Sequence, residues 1–512
     1  MAQTRQEAAT LQFSSSAGTM HLLPLVFMLV GIIEGVGAVR GGGVSSDCPA
    51  VCRCESVGML QRVDCVDVGL RSVPSNLSSF TSSLDLSMNE LSELSAHTFT
   101  NLHLLHELRL AGNSLTKIPK DFFRGLLSLK LLTLQNNRLK RVPSEALHNL
   151  KNLRSLRLDA NSISRLPATS FKGLWSLRHL WLDDNVLTEV PVLALRDLTE
   201  LQALTLALNN ISYVPDGAFS SLSQLLVLHL HDNRIHFLGQ RSFDGLHNLE
   251  TLDLSFNRIN SFPTAIKTLN NLRDLNLQNN NISVIPENIF SGNPSIETIN
   301  IQNNPLHTVG HSSFQLLPAL QTLSLSGSSI TELPDFTGTN RLETLSITGS
   351  HLSTLPDNMC EELPHLHKLD LSHNLIQSLP NFSSCRKIQN IDLSSNQLSS
   401  VSLMSLTHLK LSGHLQLRVA HQHEHQHRLR LRSTDQLFTC VCLHCEDGGS
   451  VSTCCLDSVS LWLLHLIFIV SIFFNLLPLV FLLLLLLPPP RTSSLLSVDS
   501  AWTLIQDLDS VL

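Results

Sequence analysis

LRSLRLDAN at residues 153–161 is followed by LRHLWLDDN at 177–185 and LQALTLALN at 201–209, one phrase repeated at a constant step of 24. The phrase, L-x-x-L-x-L-x-x-N, decides the fold. Its asparagine stands at Asn89, Asn113, Asn137, Asn161, Asn185, Asn209, Asn233 and Asn257, then at Asn280, Asn304, Asn374 and Asn396. Ser328 and Ser350 hold the same place in two further copies, which makes fourteen units. Leucines two apart, such as Leu156 and Leu158, point to the same side of a short strand. A bend after the strand strands backbone polar groups, and an inward asparagine amide can satisfy them. A single unit cannot bury its own leucines, so the copies must stack into a solenoid.

A second ladder closes the outer side: Phe99, Phe123, Phe171, Phe219, Phe243, Phe290 and Phe314 follow the repeat and are therefore core rather than a binding stripe. The exposed first turn of such a stack needs a cap. Cys48, Cys52, Cys54 and Cys65 precede the first unit, and we pair Cys48 with Cys54 and Cys52 with Cys65. The expected fold is an α/β repeat: a leucine-rich-repeat solenoid, or horseshoe, with a parallel concave β-sheet and a disulfide-bonded N-terminal cap. Cys360 and Cys385 lie one repeat apart and are placed to bridge neighbouring turns.

Working outward, both ends carry apolar runs. Residues 22–33 form a short one within a signal-peptide region assigned to residues 1–38. Residues 461–487 are long enough for one membrane span, with a short tail at 488–512. Between them lie the cap (48–80), the repeats (81–417) and a tail (418–460) of no recognisable pattern. After Asn396 the next recognisable strand is expected at Leu409, Leu411 and His414. The alternating His421, His423, His425 and His427 read as a solvated basic tract rather than a metal site, and the crowded Cys440, Cys442, Cys445, Cys454 and Cys455 fit no framework. Neither a metal nor a cofactor is expected. Sequons at Asn76, Asn210, Asn281 and Asn381 predict glycans on an exported chain. A net charge of −7 argues against nucleic acid as a partner, since that would demand a basic stripe.

The repeat also lists its own inner surface. One column runs Arg109, Thr133, Arg157, Trp181, Thr205, His229, Asp253; beside it run Gln135, Asp159, Asp183, Ala207, His231 and, on the other side, Ser155, His179, Ala203, Val227, Thr251. At the centre, an acidic group of Asp159, Asp183 and Asp184 adjoins an apolar hollow of Trp181, Ala203, Ala207 and Val227. An exposed aromatic anchor with a polar border is the composition of a protein interface, and its ligand should be basic. Catalysis is not expected: the sequence has no nucleophile elbow, phosphate loop or H-E-x-x-H, and adjacent carboxylates at Asp183 and Asp184 point to different sides of a strand.

SLRLDAN (155–161), LRHLWLDDN (177–185), LTLALN (204–209), LHLHDN (228–233) and GLHNLETLDL (245–254) closely resemble the ectodomains of leucine-rich-repeat-containing G-protein-coupled receptors of the R-spondin-binding group, members four to six. The resemblance covers about residues 48–417. It implies a receptor that binds the basic furin-like domains of R-spondins on its concave face and potentiates Wnt signalling by helping to remove membrane E3 ubiquitin ligases. The ligand positions it implies are Arg157, Asp159, His179, Trp181, Asp183, Asp184, Ala203, Thr205, Val227, His229 and Glu250, with Leu226 where the family would have valine. It also implies a mid-solenoid disulfide, Cys360 with Cys385. The family continues into a cysteine-rich hinge and a seven-helix domain, whereas this sequence offers one apolar run; we therefore expect a truncated, decoy-like or incompletely represented form. The expected location is the plasma membrane with the repeats outside, or else secretion. The rival readings are a matrix or adhesion repeat protein and a fragment of the full signalling receptor.

Overall fold

A computed structural model describes residues 48–380, 382, 385–398 and the backbone of 416–418. The signal region, the sequon at Asn381, the histidine tract, the Cys440–Cys455 set and the apolar run at 461–487 lie outside these residues. Among the described residues no helix is long and apolar enough to cross a membrane.

The described chain is a succession of strand, bend and return segment, repeated turn by turn. Strands Arg53–Val57 and Leu60–Asp64 form an antiparallel hairpin, and every later strand of that sheet is parallel to its predecessor. The sheet has 17 strands. From Glu107–Arg109 onward its members are three residues long because only the x-L-x centre of each phrase is extended, as in Ser155–Arg157, His179–Trp181 and Ala203–Thr205. Parallel pairing without slippage puts residues 24 apart side by side, Arg157 against Trp181 and Trp181 against Thr205.

Packing explains the spelling of the phrase. Leu156, Leu158, Leu180, Leu182, Leu204 and Leu206 are all buried, as is the whole phenylalanine ladder from Phe99 to Phe314, continued by Phe336 and Phe382. Where the ladder lacks phenylalanine, Leu147, Leu195 and Ile266 are buried in its stead, and there the outer segment winds into single helical turns at Ser144–Leu147, Val192–Leu195 and Thr264–Thr268. A further single turn, Met359–Glu362, falls at Cys360, and among the described residues the helical part of the α/β repeat is confined to such turns. Elsewhere the outer side carries two-stranded pairings, Tyr213–Val214 with Phe237–Leu238 and Val284–Ile285 with Thr308–Val309.

The asparagines act as expected, and more fully. Asn185 Nδ2 donates to the carbonyls of Leu158, Leu182 and Asp183 at 3.0, 3.1 and 3.2 Å, while its Oδ1 accepts the Ile163 amide at 2.9 Å. One buried side chain therefore ties a turn to itself and to its predecessor. Ser328 and Ser350 are too short for this and hydrogen-bond to each other at 2.8 Å.

The residue before each asparagine carries a signal not used above. At Met88, Gly112, Asn136, Ala160, Asp184, Leu208, Asp232, Phe256, Asn279, Asn303, Gly327, Gly349, His373 and Ser395 φ is positive, between 50° and 67°. A left-handed residue turns the chain out of the strand, and β-branched side chains are the worst suited to it. None of the fourteen is Val, Ile, Thr or Pro.

The N-terminal bridges are Cys48–Cys54 and Cys52–Cys65, and Cys360 joins Cys385. At the far end, Gln416–Arg418 pairs in parallel with Asn390–Asp392. The strand expected at Leu409, Leu411 and His414 lies outside the described residues.

Candidate ligand-binding face

The three columns read from the sequence are real neighbours. Ser155, His179, Ala203, Val227 and Thr251 stand in register, as do Arg157, Trp181, Thr205, His229 and Asp253. Their side chains point away from the leucine core because strand residues alternate.

At the centre sits Trp181, half-buried rather than exposed. Arg157 approaches its ring to 5.5 Å from the centroid, and the His179 ring lies 5.7 Å away on the other column, tilted by 40°. These neighbours cover part of the indole, which accounts for the difference from expectation. His179 is itself held by Ser155 Oγ at 3.0 Å. The tryptophan is therefore fixed before any partner arrives. Ala203 and Val227, both half-buried, continue the apolar surface, whereas Thr205 and Ala207 are buried and form its floor.

The acidic group divides into three roles. Arg157 grips Asp159 in a fork, Nε to Oδ1 at 2.9 Å and Nη2 to Oδ2 at 2.8 Å, so that charge is largely neutralised. The same hydrogen bond, with the nearby Asp159 and Asp183 charges, holds the guanidinium more firmly in its charged form, against burial. Asp183 turns inward: it accepts the Thr205 hydroxyl, and the Ala207 amide at 2.8 Å. Asp184, at φ 50°, is exposed and has no ion-pair partner among the described residues. The left-handed bend thus separates two consecutive aspartates into a structural acceptor and a free rim charge.

Burial pushes the Asp183 carboxyl above the ordinary aspartate value of 3.8, although the Thr205 and Ala207 hydrogen bonds oppose the shift. The folded state then holds a proton in a window where the unfolded chain has lost it. Stability contributed by this group is greatest in acid and falls as pH rises through that window. Asp183→Asn should accordingly match or exceed the wild type in thermal stability at pH 7, and lose that advantage in melts below pH 4. A variant less stable at pH 7 than at pH 3.5, relative to wild type, would contradict this reading.

His229 is kept toward its neutral form chiefly by burial, and His179 by burial and by Arg178. His231, which sequence reasoning placed in a column but not in the site, lies 5.6 Å from the His229 ring, tilted by 60°, and faces Asp253 at 3.7 Å. Adjacency of columns was the signal that could have included it. Leu226 and Glu250 lie one residue before their strands, at the margin of the face, where Arg273 reaches Glu250 at 3.9 Å.

A face of this kind, built on stacked turns with an aromatic centre and charged margin, belongs to a binding protein. The chain belongs to the leucine-rich-repeat family: the leucine rich repeat model matches residues 103–163, 151–211, 199–259, 262–306, 294–352 and 340–398. Within it, the repeats are similar to those of leucine-rich repeat-containing G-protein coupled receptor 5, at 55% identity over 120 residues in Homo sapiens and 54% over 107 residues in Xenopus tropicalis. They are similar also to receptor 6 of Danio rerio, at 53% over 90 residues. These matches take in 23%, 21% and 18% of this chain and only 13%, 12% and 9% of the relatives' lengths. A solved leucine-rich-repeat protein of Leptospira interrogans superposes with a TM-score of 0.62 at 29% identity, over 69% of this chain and 89% of that one. The Toll ectodomain from the Drosophila Toll–Spatzle complex shares the fold, with a TM-score of 0.58 at 18% identity, over 72% of this chain and 53% of that one.

Proposed function

We propose that the chain is a receptor-type ectodomain that holds the basic furin-like domain of an R-spondin on the concave face of its first half and thereby modulates Wnt signalling, with the repeats outside the plasma membrane. The observation that carries this reading is the fixed Trp181, braced by Arg157 and His179 beside Ala203 and Val227, with Asp184 free at the rim. An apolar side chain of the ligand fills the space over Ala203 and Val227, against the indole. Its basic groups meet Asp184 and, at the margin, Glu250. Membrane E3 ligases enter only through the bound R-spondin. Catalysis has no part in this reading.

The test is surface plasmon resonance of the full chain against an R-spondin furin-like fragment at two salt concentrations. Binding should weaken with salt, and Asp184→Lys should slow association by roughly three- to tenfold with little change in dissociation, since a rim charge steers encounter. The single substitution is preferred to a change at both aspartates because Asp183 holds the Ala207 amide. No binding by a folded preparation would overturn the proposal and return the chain to the matrix or adhesion class.

A further inference from the structure

Between residues 101 and 180 the sequence carries fourteen lysines and arginines against four carboxylates, although the whole chain is acidic at −7. Part of this excess converges on one feature at the margin of the concave face. His106, Lys130, Arg154 and Arg178 are 24 residues apart, each one position before its strand. Consecutive members are locked in line by backbone hydrogen bonds of 2.8 Å, from Lys130 to His106, Arg154 to Lys130 and Arg178 to Arg154. With neighbouring strands about 4.8 Å apart, the ladder runs for roughly 14 Å. It borders a cleft of about 390 Å³ whose wall includes Trp175, 54% exposed, and a single carboxylate, Glu200. The three lysine and arginine side chains are exposed, and none has an ion-pair partner among the described residues. The four sequons lie elsewhere, so no glycan is attached on the ladder.

We propose that this lateral cleft binds a sulfated polysaccharide, a linear polyanion lying along the His106–Lys130–Arg154–Arg178 ladder with a sugar ring against Trp175. A row of evenly spaced, unpaired cations complements a ligand whose charges also recur along a line, and an exposed indole offers a flat apolar face to a pyranose. Three disulfides indicate an oxidising, extracellular setting. That setting favours sulfated glycans over anionic lipids, which concentrate on the cytoplasmic leaflet. The ladder is the earlier part of the margin that also holds Leu226 and Glu250, but none of its four residues is among the proposed R-spondin positions, so heparin binding tests it apart from the R-spondin reading.

The experiment measures the full chain on immobilised heparin, on fully desulfated heparin and on phosphatidylserine vesicles. Heparin should retain the chain, with log affinity falling against log salt at a slope of about −2 to −3, as for some three released counterions. Desulfation should weaken binding at least tenfold. The combined Lys130→Glu, Arg154→Glu and Arg178→Glu variant should do the same with an unchanged thermal midpoint. A charge-matched control, Arg138→Glu with Lys140→Glu and Arg141→Glu, should stay within threefold of wild type. Equal loss in variant and control would reduce the effect to net charge and overturn the proposal. So would retention that ignores desulfation, capture by vesicles without heparin binding, or no retention on heparin.

Discussion

Trp181→Ala should weaken the affinity of the full chain for an R-spondin furin-like fragment, the proposed ligand, by about 30- to 1,000-fold, the span of a tryptophan hot spot worth roughly 2–4 kcal/mol. The size follows from the position of the indole. It stands at the middle of the three registered columns, held between the Arg157 guanidinium and the His179 ring, so little further ordering is needed on binding. Truncation removes the anchor and also releases Arg157 and His179 from their ring contacts. Because Trp181 lies outside the leucine core, thermal unfolding should move by no more than a few degrees. Surface plasmon resonance beside a melting curve reads both quantities. An unchanged affinity would remove Trp181, and with it the proposed face, from the ligand site.

Asn185→Ala has the opposite profile, a large loss of stability. The asparagine is only 5% exposed, and its removal leaves the Ile163 amide unpaired and takes one of two amide donors from the carbonyls of Leu158 and Leu182, which keep Asn161 Nδ2 and Asn209 Nδ2. The one buried amide left unpaired costs about 1–3 kcal/mol, and the thinned bonding at the two carbonyls adds to it, so the whole change should be about 2–4 kcal/mol, large for a point substitution. The thermal midpoint should fall by roughly 5–10 °C. Hydrogen exchange gives the local signature, since the Ile163 amide should lose protection before amides several turns away. Asn185→Ser should lie between the two, because a hydroxyl retains some of the bonding, as at Ser328 and Ser350. If Asn185→Ala melted with the wild type, the asparagine ladder would not be the clamp described here.

Much of this was legible in the spelling. The L-x-x-L-x-L-x-x-N phrase yields the strands, their register and the inward amide because one physical constraint, burial against the next turn, acts identically on every copy. The Cys48–Cys54 and Cys52–Cys65 bridges match the pairing assigned to the cap from the sequence. What escaped depends on side-chain direction and on competition between neighbours. Asp159 reads as an acid in a list, yet Arg157, two residues earlier on the same side, takes both of its oxygens. Asp183 and Asp184 read as a pair, yet the left-handed bend sends one into Thr205 and Ala207 and the other to solvent. The strand at Gln416–Arg418 was missed because the phrase there has lost its asparagine, leaving only the weaker leucine alternation to mark it.

The asparagine clamps and the Cys360–Cys385 bridge also make the stack of repeats a particular kind of rope. Each turn holds chiefly to its two neighbours, so a pull on the two ends does not meet the whole core at once. Turns peel away in sequence, each lengthening the chain by roughly 80 Å for its 24 residues at full extension. The bridge spans 25 residues and withholds their slack however hard the turn is drawn. A tethered partner tugging on such a molecule would feel a graded yield followed by a catch.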